Sequence, residues 1–212
     1  MTPGGVLALV SQIAPEILAV KAGSLVSLRL PVDIDEIVRI MAIEVIIFDL
    51  PDSISGVYTE IAGQPYIGLN SKQSMTRRRF TIAHELYHFL TDFDSGEIAA
   101  MIESTRGLRL IEAYANKFAA LLLMPEQPMR SLWAKGICQK HLAEIFDVSE
   151  QAMQIRMKDL GLKTMSRKTS SHNHCKSYCC ELAKIQYIAW QPYLETSLSS
   201  IEDEEFHMPV RQ

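Results

Sequence analysis

His84-Glu85-Leu86-Tyr87-His88 sets the reading of this chain. It is an HExxH pentapeptide, and on a helix residues four apart share a face one turn above the other, so both imidazoles can reach one ion. Glu85, between them, is placed to take a proton from a water at that ion. The surrounding run from about Gln73 to Leu90 is expected to be the helix that carries the motif, because Asn70 and Ser71 break the pattern before it.

A metal that does hydrolytic chemistry takes three protein ligands and keeps a fourth position open. A third donor is therefore needed, and Asp92, Asp94, Glu97, Glu103 and Glu112 all lie downstream. Leu108 to Met124 reads as a strongly patterned helix ended by Pro125, and Glu112 lies on it. A rigid helix fixes ligand geometry better than a loop does, which favours Glu112. Most helical glutamates are nevertheless solvated charges, so spacing alone leaves the choice nearly open. Asn116, one turn on, shares that face and can accept a hydrogen bond from the second ring nitrogen of a ligand histidine.

Upstream, Asp33 or Asp35 can cap a short helix through Met41, and Ile43 to Phe48 reads as a buried strand with a β-branched centre. Gly56 to Ile61 and Pro65 to Leu69 read as two strands around the turn Ala62-Gly63-Gln64. Pro65 to Leu69 immediately precedes the motif helix. It is expected to be a sheet edge beside the metal, where an extended substrate can add as a further strand. Residues 1–30 form an apolar lead-in with a helix from Ile13 to Ala22 and no assignable function.

Downstream of Pro128 a smaller helical unit runs to about Lys163. Within it, His141 to Ser149 and Glu150 to Leu160 read as two short helices joined at Asp147-Val148-Ser149, with Ser149 capping the second, a helix-turn-helix-like pattern. Six basic against four acidic residues between Arg130 and Lys163 is a small excess for phosphate binding, so packing on the core is the simpler role. Ser166 to Ser171 reads as a linker. The tail beyond it carries His172, His174, Cys175, Cys179 and Cys180 in a spacing that fits no zinc module, and ends near the acidic patch Glu202 to Glu205. The expected organisation is an extension over 1–30, a core over 31–128, a helical unit over 129–165, and a linker and tail over 166–212.

Composition narrows the class. The chain has 212 residues, 48% of them apolar and 22% charged, which suits a soluble globular protein, and its net charge of −4 argues against a general nucleic-acid coat. No positive charge precedes Lys21 and no run reaches the 18 or so apolar residues of a membrane span, so neither a secretion signal nor a membrane segment is expected. The few, clustered cysteines form no disulfide framework, which fits a cytoplasmic protein. Lys72, Arg77, Arg78 and Arg79 crowd the start of the motif helix against its dipole, which calls for a carboxylate elsewhere in the fold or on a substrate.

The stretch from Arg79 to His88, with Glu112-Ala113-Tyr114-Ala115-Asn116-Lys117-Phe118-Ala119 and Leu122-Leu123-Met124-Pro125, resembles the ImmA/IrrE family of metallo-endopeptidases. Pro31-Val32-Asp33, Ser55-Gly56 and Ile67 to Asn70 match in the same order, and the likeness covers residues 31 to 125 or so. The resemblance implies an α+β, zincin-like metallopeptidase core. It also implies one Zn2+ per chain held by His84, His88 and Glu112, with Glu85 as catalytic acid and base. The implied partner is a helix-turn-helix repressor or antitoxin, cut or sequestered by this chain, in systems tied to stress responses or mobile elements. DNA binding by the chain alone is expected to be weak. Tyr87 stands where the family tends to have a small residue, so its ring either narrows the cleft or packs in the core. Tyr58, Tyr66 and Tyr87 are candidate donors to a developing oxyanion. The competing readings are a DNA-binding regulator with a vestigial peptidase core and a toxin-like component of a two-protein module.

Overall fold

The computed structural model describes residues 14–26, 29–91 and 105–163. Asp92, Asp94, Glu97 and Glu103 lie outside the described residues, as do the Cys/His tail, the linker before it and the acidic patch.

The described chain runs α1 (Pro15–Gly23), α2 (Ile34–Ile40), β1 (Glu44–Phe48), β2 (Gly56–Ile61), β3 (Gln64–Asn70), α3 (Met75–Leu90), α4 (Thr105–Leu123), α5 (Glu126–Ala134), α6 (Gln139–Phe146) and α7 (Glu150–Asp159). The architecture is α+β, one small sheet with helices around it. None of the described helices is long and apolar enough to cross a membrane.

Local chemistry explains several boundaries. Asp33, rather than Asp35, caps α2 by accepting from the Glu36 N–H at 3.0 Å. Ser74 caps α3 by accepting from the Arg77 N–H, so the motif helix starts two residues after Gln73. Between β2 and β3, Ala62 and Gly63 both have positive φ, 52° and 82°, the two-residue turn whose twist suits a hairpin.

The sheet order is β1-β3-β2, with β3 parallel to β1 and antiparallel to β2. This corrects the expectation for Pro65 to Leu69. β3 is paired along both sides and has no free ladder to offer; the edge beside the motif helix is β2. The hairpin is a local signal, whereas β1 reaches the far side of β3 by a parallel pairing that local pattern does not encode. β1 is consequently an edge, and instead of being a buried strand it leaves Ile46, Ile47 and Phe48 about half exposed.

Asn70, fully buried at the end of β3, fixes the approach to α3. Its Nδ2 donates to the carbonyls of Leu50, Pro51 and Ile54, and its Oδ1 accepts from the Lys72 N–H. A single side chain thus ties the loop before β2 to the turn before the motif helix. α3 packs against α4 through Ile82, Leu86 and Tyr87 on one side and Ala115, Phe118 and Leu122 on the other, all buried. The Tyr87 ring lies 5.7 Å from that of Phe118, in the core and away from the cleft. At the far end of α4, buried Arg156 of α7 donates from Nε to the Met124 carbonyl at 3.0 Å, which occupies one of the acceptors left open where a helix ends. Ser149 accepts from the Ala152 N–H at 3.1 Å at the start of α7.

Candidate metal centre

Helix α3 presents His84 and His88 one turn apart, and α4, packed across it, brings Glu112 to meet them. His84 Nε2 and His88 Nε2 are 3.2 Å apart; Glu112 Oε2 lies 3.2 Å from the first and Oε1 3.5 Å from the second. Ligand bonds of about 2.0–2.1 Å in a tetrahedral site put neighbouring donor atoms about 3.4 Å apart. The three donors therefore form a face of the size that a zinc-like ion requires, and they are the cluster among the described residues able to hold one.

Proton bookkeeping leads to the same place. Asn116 donates from Nδ2 to the Glu112 carbonyl at 2.9 Å, which turns its Oδ1 toward His84 Nδ1 at 3.2 Å. In the neutral ring the proton then sits on Nδ1, and Nε2 presents its lone pair toward the second imidazole and the carboxylate. Acceptors converging on one point are stabilised by a cation. Burial, and then the neighbouring His84, push the His88 pKa below its usual value, while Glu112 opposes them; a neutral imidazole is the form that ligates.

Glu85 lies on the same helix but looks elsewhere, toward β2, where the Tyr58 main-chain N–H donates to its carboxylate. Burial raises its pKa from the usual 4.5 to about 7, with the charge of Glu112 adding to the rise and the Tyr58 N–H holding it back. Its carboxyl therefore sits where gain and loss of a proton are nearly balanced at neutral pH. That is the condition for a group that must do both.

These groups open into a cleft of about 660 Å³ between α3, α4 and β2, lined among others by Ser55, Tyr58, Arg77, Phe80, Thr81 and Asn116. Gly56 sets how closely the edge strand lies on the helix. A Cβ there would overlap Thr81 Cγ2 and stand 2.9 Å from the Gly68 carbonyl oxygen. Thr81 is itself held by its hydroxyl, which donates to the Arg77 carbonyl at 3.0 Å. The Tyr58 ring packs edge-on against Phe89 at 5.9 Å.

His84, Glu85, His88, Glu112 and Asn116 are thus brought together, and Tyr58 stands beside them. Tyr66 does not line the cleft and Tyr87 faces the core. Sequence reasoning missed Gly56, Thr81 and the main-chain N–H of Tyr58, and it named Arg77 only as one of a basic cluster, without placing it at the site. Arg77 and Thr81 were within reach, since with His84 and His88 they repeat at the 3.6-residue period of one helix face; the two strand contributions depend on register and carry no such mark.

The family model of the IrrE N-terminal-like domain matches residues 39–158, a span that holds the whole sheet and both metal-facing helices. Among solved structures, a Mycobacterium tuberculosis transcriptional regulator is similar at 21% identity and a TM-score of 0.49, over 74% of this chain and 48% of that one. The chain therefore spans about half the length of that protein. No curated protein matches.

Proposed function

This chain belongs to the family of IrrE N-terminal-like domains, and on that premise we propose that it is a zinc-dependent endopeptidase that cuts a regulatory protein. The observation that carries the reading is the triangle of His84 Nε2, His88 Nε2 and Glu112 carboxylate, at 3.2 to 3.5 Å, with a second, non-ligating carboxylate on the same helix. Bound to those three donors, zinc supplies a Lewis acid and brings the pKa of a water to about 7.

The chain's own residues do the rest. Glu85 takes a proton on its carboxylate from the attacking water and returns it to the nitrogen of the departing amine. The Tyr58 N–H fixes that carboxylate at the edge of the cleft. Asn116 holds the His84 ring so that Nε2 faces inward. The substrate enters as an extended segment along β2, main chain to main chain, which requires an accessible linker rather than a folded element.

A helix-turn-helix repressor or antitoxin is the partner of choice, because such a protein carries a linker and brings the DNA affinity that is expected to be weak in this chain alone. On α7, Arg156 is committed to the Met124 carbonyl, and the exposed residues Glu150, Gln151, Gln154, Ile155, Lys158 and Asp159 carry two acids against one base. Duplex affinity scales with the phosphates neutralised, so little is expected of that face.

The test compares the native chain with Glu85→Gln for bound zinc and for cleavage of a co-encoded helix-turn-helix protein. Zinc in both and cleavage by the native chain alone is expected. Tight, sequence-specific DNA binding that survives zinc removal, with no cleavage, would favour the regulator reading; stable capture of the partner by both forms without cleavage would favour the toxin-like one.

A further inference from the structure

Four cations stand at the start of α3, where the helix end disfavours positive charge and the first turn holds no acidic residue. Three of them are engaged within the fold. Lys72 Nζ lies 2.9 Å from Asp49 and 3.4 Å from Asp52, Arg79 pairs with Asp147 at 3.1 Å, and Arg78 donates to the carbonyls of Gln73 and Ser71 at 3.0 and 3.2 Å. Arg77 differs. Like Arg78 it has no carboxylate partner among the described residues, but its Nη2 donates to Ser55 Oγ at 3.1 Å and, unlike the other three, it lines the same cleft as His84 and Glu85. Seven residues before His84, it stands on the same helix face about 10 Å away.

We propose that Arg77 is the specificity residue of this cleft and seats an acidic side chain of the substrate, two or three residues after the scissile bond. The proposal rests on the endopeptidase reading above. Its direction follows from the strand. β2 runs from Gly56, beside Ser55 and Arg77, through Tyr58, whose N–H meets Glu85, to Ile61. A segment adding antiparallel, the more stable pairing, runs the opposite way. Its residues beyond the reacting bond then pass Gly56 and reach Arg77, and at about 3.4 Å per residue the 10 Å or so is covered in two or three steps. A guanidinium suits the task because its planar fork can give two N–H groups to one carboxylate while a third stays on Ser55.

The full-length native protein, loaded with zinc, is incubated with a C-terminally amidated peptide library of mixed sequence, and the new ends are read by mass spectrometry. In parallel, the zinc-loaded Glu85→Gln protein captures intact peptides from the same library. Asp and Glu are expected to be enriched about fivefold two or three residues after the cut and among captured peptides, less so at high salt. Arg77→Gln should abolish the enrichment, Arg77→Lys should keep part of it, and Arg77→Glu should turn it toward Lys and Arg. A merely structural Arg77 would not reverse the preference. Cleavage without the enrichment, enrichment only before the cut, or enrichment that persists in Arg77→Gln overturns the proposal and leaves the endopeptidase reading intact. Selectivity confined to a library with free C-termini identifies the chain-terminal carboxylate as the ligand and overturns the side-chain assignment. Acid-selective, Arg77-dependent capture without any cleavage keeps the carboxylate seat and removes the endopeptidase reading; neither cleavage nor selective capture overturns both.

Discussion

Arg79, five residues before His84 on α3, reaches Asp147 in the turn between α6 and α7, with Nε 3.1 Å from Oδ2, while its Nη2 donates to the Val32 carbonyl at 2.8 Å. The contact with Asp147 is an ion pair rather than an aligned hydrogen bond. One guanidinium thereby joins the motif helix to the chain before α2 and to the C-terminal helices. Asp147 has a left-handed backbone, φ 50°, which asparagine tolerates as well as aspartate does.

Asp147→Asn should therefore keep the turn and remove only the charge, lowering stability by about 1 kcal/mol, since Asp147 is partly exposed. Arg79→Met also strips the Val32 carbonyl of its donor and should lower it by about 2–3 kcal/mol. Urea denaturation of both single variants and the double one gives the coupling. A double variant whose loss equals the sum of the two singles would show that the pair is energetically idle.

Asn116→Leu should weaken zinc binding roughly 10- to 100-fold, because His84 loses the acceptor that fixes its tautomer and ring orientation. Competition against a chromophoric chelator measures it. An unchanged affinity would mean that packing alone holds the His84 ring.

The pH dependence of the metal-free protein has a defined sign. Glu85 titrates at about 7 when folded against a usual 4.5, so between those values the folded state keeps a proton that the unfolded chain has released. Its contribution is fully present below about pH 4.5, is lost as pH rises toward 7, and is flat above; the whole change is of order 3 kcal/mol. His88, whose folded pKa is lowered, acts with the opposite sign below its usual value of 6.5. Glu85→Gln should remove only the first trend. Urea midpoints of both proteins in chelator from pH 5 to 8 test this, and parallel curves would show that Glu85 is not raised.

The local signals in this chain were legible and the long-range ones were not. Caps at Asp33 and Ser149, and the hairpin around Ala62-Gly63, follow from side-chain chemistry within a few residues, whereas the cap at Ser74 went unread. The spacing of His84 and His88 needs only the helical period. Glu112 was a weaker inference from sequence because its meeting with them depends on how α4 crosses α3. The choice of sheet edge was misread, since pattern in β3 cannot reveal that β1 lies on its other side. Arg77, which among the described residues meets no carboxylate and lines the cleft, could be told from its neighbours only after Lys72, Arg78 and Arg79 had been seen with their partners.

Gly56 offers the sharpest test that the edge strand belongs to the site. Its φ is unremarkable, so Gly56→Ala meets no backbone penalty and acts through space alone. The added methyl would overlap the Thr81 γ-methyl and crowd the Gly68 carbonyl oxygen. Thr81 cannot readily turn away, because its hydroxyl is engaged with the Arg77 carbonyl. The strand must therefore lift from α3, carrying the Tyr58 N–H away from Glu85 one turn further along the helix. Overpacking of this kind costs about 1–3 kcal/mol. Zinc affinity should be little changed, since His84, His88 and Glu112 lie on the two helices, whereas peptide cleavage should fall by tenfold or so. Zinc titration and cleavage assays on the same preparation separate the effects. Loss of zinc with Gly56→Ala, or undiminished cleavage, would show that the strand and the metal site are not divided in this way.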